Sequence, residues 1–166
     1  MSKLIKDNVI TDNSWELLEA TDSPETTTVP AGSVIVPLVV WNAQKEQLES
    51  RKASLGVWLN SDELAEELAG DAQGFGLVAV NFPGFMDGRG FSAARLLRER
   101  YGYEGELRAI GHIIRDQLFF LKRCGFNSFE LGEGVDLDAA MASLNDFSET
   151  YQAAVDQKLP LFRRRA

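Results

Sequence analysis

The chain holds one cysteine, Cys124, and one histidine, His112, in 166 residues. A single thiol excludes an internal disulfide and any multi-thiolate zinc or iron–sulfur centre. A single imidazole excludes every site that needs two. Cations are also short: 17 Lys and Arg stand against 25 Asp and Glu, leaving a net charge of −8. That balance argues against broad nucleic-acid binding. Long apolar runs are missing too. The longest, Val34 to Trp41, is broken by Pro37 and falls far short of the ~20 residues of a membrane span. Met1 to Lys6 carries two lysines and no apolar stretch behind them, so no signal peptide is expected, and the default compartment is the cytoplasm.

What is present is a globular composition, 45% hydrophobic and 25% charged. A chain of this length buries roughly 70% of its unfolded surface and can hold a core without staples. Residues 1–30 read as an entry segment. Leu4 to Ile10 and Trp15 to Glu19 suggest a short hairpin turning at Asp12-Asn13-Ser14, and Thr21 to Pro30 is a polar linker. From residue 31 to 166 the pattern changes. Apolar, β-branched runs alternate with helix-forming stretches: Val34 to Trp41, Gly56 to Leu59, Leu77 to Phe82, Leu107 to Ile110 and Ser128 to Leu131 as strands. Helices are expected over Asn42 to Lys52, after Asn60 or Ser61 to Gly70, over Ser92 to Tyr101 and Ile113 to Cys124, and from Asp136 or Asp138 to about Gln157. Alternation of this kind predicts an α/β fold with a mainly parallel sheet of about five strands and flanking helices, plus the N-terminal hairpin. An open sandwich and a half-barrel both fit, with the compact open sheet preferred. Five βα units are too few for a closed eight-stranded barrel of ~250 residues.

Ligands of parallel sheets bind beyond the carboxyl ends of the strands. The segment after the third predicted strand, Asn81 to Ser92, contains Gly84, Gly88 and Gly90, with Asp87 and Arg89 on either side of Gly88 and a helix start behind them. Exposed amides, a helix dipole and Arg89 together suit an anion. The alternative is a tight βα loop in which Asp87 caps the helix or pairs with Arg89. The segment is neither a Walker loop nor a dinucleotide fingerprint. Arg89, Arg95, Arg98, Arg100, Arg108, Arg115 and Arg123 make a local arginine field, although Arg95 and Glu99 stand at i, i+4 as an ordinary helical pair. Arg108 lies in a short strand, where a charge needs a partner. His112 follows the fourth strand and is a candidate acid/base, with Asp116 one turn on to orient it and Gln117 beside. The competing reading is a hydrogen-bonded helix-start residue. Cys124 closes an apolar helix and reads as a buried, inert thiol. Glu130 and Glu133 lack a matched partner spacing for a metal. Trp41 and Trp58 read as core, and Arg163-Arg164-Arg165 as a solvated tail or an anionic-partner contact.

From Asp87 to Leu131 the chain reads Asp-Gly-Arg-Gly-Phe-Ser, then Ala-Arg-Leu-Leu-Arg-Glu-Arg-Tyr-Gly-Tyr, Gly-Glu-Leu-Arg-Ala-Ile-Gly-His, Arg-Asp-Gln-Leu and Arg-Cys-Gly-Phe-Asn-Ser-Phe-Glu-Leu. This stretch resembles a bacterial family of small acidic proteins of unknown function that carries the description of an oxidoreductase involved in sulfite reduction. Its members are encoded beside the sulfite reductase haemoprotein and the phosphoadenylyl-sulfate reductase. The resemblance is dense over about a quarter of the chain, and Asp87, Gly88, Arg89, Arg108, Asp116 and Gln117 match its pattern. Members commonly have an acidic residue where this chain has His112. What the resemblance implies is a pathway, assimilatory sulfate or sulfite reduction, with no catalytic residue to carry across.

Three expectations follow. The first is an accessory or regulatory protein that binds a sulfite reductase subunit or another sulfur-assimilation enzyme, and with it a small sulfur oxyanion. Its candidate anion-binding residues are Asp87, Gly88, Arg89, Gly90, Arg108, His112, Asp116 and Gln117. The second is an enzyme acting on a sulfur oxyanion or adenylyl-sulfate, with Arg89 and Arg108 as clamps and Asp87 or Asp116 moving a proton. The third is an α/β domain whose polar cluster is structural. No cofactor is evident, no metal site is expected, and a flavin in a strand-end crevice is not excluded, since flavins bind without a readable motif. Neither nucleic acid nor membrane is an expected partner. A homodimer through exposed strand edges stays open.

Overall fold

The computed structural model describes residues 2–147 and 149–164. Arg165, the end of the expected basic tail, lies outside them. The described residues form eight strands: β1 (Lys3–Lys6), β2 (Val9–Asp12), β3 (Glu16–Leu17), β4 (Val34–Pro37), β5 (Leu55–Leu59), β6 (Leu77–Phe82), β7 (Glu106–Gly111) and β8 (Ser128–Phe129). The helices are α1 (Leu38–Leu48), α2 (Arg89–Glu99), α3 (Leu118–Arg123), α4 (Leu137–Ser143) and α5 (Leu161–Arg164). All strands belong to one sheet in the order β2-β1-β8-β7-β6-β5-β4-β3. From β3 to β8 neighbouring strands are parallel, while β1 runs antiparallel to both β2 and β8.

This order has a geometric consequence. Strands β3 to β8 are laid down in one direction without reversal, so right-handed connections put every helix on the same face. That face is continuous core: Val34, Val36, Val57, Val78, Val80, Leu107, Ala109 and Phe129 pack with Leu38, Trp41, Ala94, Leu97, Leu118 and Leu121. The opposite face carries Ile35, Trp58, Leu77, Ala79 and Ile110, covered by Trp15. The outermost strands β2 and β3 are joined by only Asn13, Ser14 and Trp15. Four residue steps reach at most roughly 14 Å, whereas seven strand spacings in a flat sheet would need roughly 34 Å. The sheet must therefore curl until its two edges approach, and the helix-free face becomes the inside of a curled half-barrel.

The α/β class and the mainly parallel sheet hold, and three further strands correct the expected count of about five. The hairpin turns at Asp7 and Asn8, both at positive φ, not at Asp12-Asn13-Ser14. Asn and Asp tolerate that conformation and set the tight twist a two-residue hairpin needs. The hairpin is also built into the sheet through Ile5 and Lys6 on β8. The run Val34 to Trp41 splits at Pro37, which ends the strand and caps α1. The helix expected after Ser61 shrinks to the 3₁₀ turn Ala65–Leu68, and the long last helix ends at Ser143.

Candidate functional site

Two polar clusters lie on the sheet, one inside the curl and one on its rim. The inner cluster grows from the alternation of β7. Glu106, Arg108 and Ile110 face inward while Leu107 and Ala109 face the helices. The Arg108 guanidinium donates to Glu106 Oε1 from Nε at 3.0 Å and Nη2 at 2.8 Å, and to Asn13 Oδ1 from Nη1 at 3.0 Å. Lys6 Nζ stands 2.6 Å from Glu106 Oε2, and Glu130 Oε2 lies 3.7 Å from Arg108 and accepts from Asn13 Nδ2. Both members of the central pair are sealed, with side chains 2% and 5% exposed. Burial pushes the Glu106 carboxyl up, yet Lys6 and Arg108 outweigh it and hold the group below its ordinary value.

The rim cluster sits at the carboxyl ends of β5 and β6. Asp87 accepts from the Arg89 backbone N–H at 3.2 Å, Nε at 3.0 Å and Nη2 at 2.7 Å, and Arg89 Nη2 also donates to Ser61 Oγ at 3.0 Å. Arg89 is the first residue of α2, and Gly88 is its cap. Gly90 lies where the helix meets the sheet: a Cβ there would stand 2.7 Å from Phe82 Cζ and 2.9 Å from Val80 Cγ1. The Arg89 guanidinium holds the Asp87 carboxyl well below the usual carboxylate range. Asn81 Nδ2 donates to Asn60 Oδ1 at 3.1 Å on the inner side of the same rim.

The expected site residues thus fall into three places. Asp87, Gly88, Arg89 and Gly90 are together at the start of α2. Arg108 is inside the curl with Glu106 and Asn13. His112 and Asp116 are exposed in the connection after β7, with Gln117 half-buried, and no hydrogen bond joins His112 to Asp116 among the described residues. His112 contributes its backbone N–H to Phe82 O at 2.7 Å, and Gln117 Oε1 accepts from the Ile114 N–H at 3.1 Å. Most of the arginine field is spent within the chain. Arg98 donates to Gly125, Tyr103 and Gly105 carbonyls, Arg115 to Ser143, and Arg95 to Glu99. Cys124 is buried, and burial pushes its thiol up to about 11. No group of three or more His, Cys, Asp or Glu is gathered for a metal ion among the described residues, and no described helix is long and apolar enough to cross a membrane.

A further feature lies on the same rim. Every segment leaving the carboxyl end of β4 to β8 presents a large apolar side chain to solvent: Val39, Leu64, Phe85 with Met86, Ile114 and Val135. Leu64 is 61% exposed, Phe85 60% and Met86 89%. Sequence reading passed over this ring. Its one visible trace was Phe85-Met86 in a glycine-rich loop, where nothing local would bury them.

No curated protein and no solved structure matches the chain. The family model described as a bacterial protein of unknown function (DUF934) matches residues 56–162, from β5 through α5, and the chain belongs to that family.

Proposed function

We propose that this protein is an accessory or regulatory component of assimilatory sulfate or sulfite reduction, docking on a reductase subunit through the mouth of its half-barrel. The observation that carries the docking role is the ring of exposed apolar side chains on five successive strand-to-helix segments. Exposed apolar side chains gathered at one end of a sheet suit a surface that a partner covers. The resemblance of residues 87–131 supplies the pathway. The arginines fit this role better than a catalytic one, because Arg89 and Arg108 already have carboxylate partners within the chain.

The enzyme reading has one observation in its favour. Arg89 is exposed at the first turn of α2, so an incoming oxyanion that displaced Asp87 would meet a guanidinium and a helix start. A pull-down from sulfate-starved cells separates the two. Tagged wild type, Phe85→Asp/Met86→Asp and Arg89→Ala are compared, and an absorbance spectrum is taken of the tagged protein purified free of any captured partner. The docking role expects a sulfite reductase subunit with wild type and Arg89→Ala, its loss with the double variant, and a colourless tagged protein. Equal capture by the double variant, or no reductase with wild type, overturns it. A flavin spectrum on the tagged protein shifts the case to the enzyme.

A further inference from the structure

Inside the mouth of the curl, at the carboxyl ends of β5, β6 and β7, a cavity of about 210 Å³ opens between the sheet and the segment Leu17–Ala20. Its walls are Trp58, Ile110 and Leu17, with the Asn81 amide and Glu19 as polar side chains. We propose that this cavity binds a small neutral heteroaromatic ring, held against Trp58 and Ile110 and read along one edge by Asn81.

Four features converge on that ligand class. The cavity is smaller than the ~300–1,000 Å³ of sites for drug-sized molecules, so it admits a single ring system. No Lys, Arg or His lines it, and its one charged lining residue is a carboxylate. A free sulfur oxyanion would therefore find no counter-charge there, and would lose hydration without replacement. The Trp58 indole is pinned, because its Nε1 donates to Leu18 O at 2.8 Å and fixes the ring on the cavity wall. Aromatic walls favour planar ligands.

The fourth feature is Asn81. It interrupts the apolar run Leu-Val-Ala-Val-Asn-Phe of a central parallel strand, where Asn is depleted. Its Nδ2 is held by Asn60, while Gly111 approaches its oxygen so closely that a Cβ would stand 2.4 Å from Oδ1. Gly111 has φ of +89°, a conformation that suits glycine. The amide is thus set in one orientation before any ligand arrives, and Oδ1 accepts no hydrogen bond among the described residues. A fixed amide offering an acceptor and a second N–H matches the donor–acceptor edge of an amide-bearing or amino-substituted heterocycle. Pre-setting it lowers the ordering cost of binding.

This inference does not depend on the docking role, and its test reads binding alone. The full chain is titrated with adenine, with nicotinamide and with sulfite, followed by saturation-transfer NMR and tryptophan fluorescence. Saturable binding of at least one of the two heterocycles is expected, with sulfite neither binding in the cavity nor displacing the ring. Asn81→Leu should weaken binding about tenfold, the equivalent of one hydrogen bond. Ala20→Trp should abolish it by filling the cavity from the exposed segment, and serves where Asn81→Leu disturbs the sheet. Failure of both heterocycles to bind saturably, displacement by sulfite, or undiminished binding in Ala20→Trp overturns the proposal.

Discussion

Glu106-Leu107-Arg108 and Asp87-Gly88-Arg89 have the same spacing and opposite surroundings. In β7 an i, i+2 pair falls on one side of the strand by the pleat alone, and that side is the inside of the curl. In the α2 connection the same spacing becomes a loop in which Asp87 takes both the backbone and the side chain of Arg89. The inner guanidinium is 2% exposed and the outer one 62%. One motif thus serves as an interior strut and the other as a rim clasp tying the connection after β6 to Ser61 after β5. Residue identity did not decide which was which. Strand against loop decided it.

The comparison breaks most visibly at Arg108. Removing one partner of a sealed pair costs up to about 3–5 kcal/mol, the full amount where the remaining charge has no other partner. Arg108→Ala should lower the urea midpoint by a corresponding amount, because Glu106 is then left with Lys6 alone. A loss below about 1 kcal/mol would mean that solvent reaches the inside of the curl and the pair is no strut. Gly90→Ala comes next, at about 1–3 kcal/mol. Its Cβ would press on the buried side chains of Phe82 and Val80, so either those side chains or α2 must shift. Thermal unfolding that matched wild type would show that α2 sits further from β6 than the contacts require.

Acid offers a milder probe of the same strut. The folded Glu106 carboxyl lies below its ordinary 4.5, so its contribution is fully present above that value. It is lost as pH falls from there through the folded pKa. Denaturant unfolding between pH 5 and pH 3 should show this acid-dependent loss in wild type and a shallower one in Glu106→Gln. Identical slopes would place the titration in other carboxylates.

How much of this could be read beforehand depended on whether the cause was local. Leu77–Phe82 was legible residue for residue, because an apolar run bounded by Gly76 and Pro83 is too short for a buried helix. Val34 to Trp41 was not, since a buried strand and a buried helix give the same apolar run and only Pro37 separates them. Asn13 does act locally, its Oδ1 accepting from the Trp15 N–H, but its ties across the curl to Arg108 and Glu130, far away in sequence, were not legible. Asp87 and Arg89 were legible as a pair by spacing. The ring of Leu64, Phe85, Met86 and Ile114 was not, because it is made of one or two residues from each of several connections that only the topology brings to one rim.

The smallest effect belongs to the outer pair, and it sharpens the contrast most cleanly. Arg89→Ala removes an exposed guanidinium whose attraction to Asp87 is screened by water and salt, so the melting temperature should stay at the wild-type value. What should change is local order. Without the clasp between Asp87 and Ser61, amide exchange in residues 84–88 should quicken while that of β6 and β7 does not. Raising the salt to 1 M should quicken the same loop in wild type and leave the inner pair untouched, since counter-ions do not enter a sealed interior. A melting temperature that fell as far in Arg89→Ala as in Arg108→Ala would erase the distinction between strut and clasp. The rim would then have to be counted as part of the core.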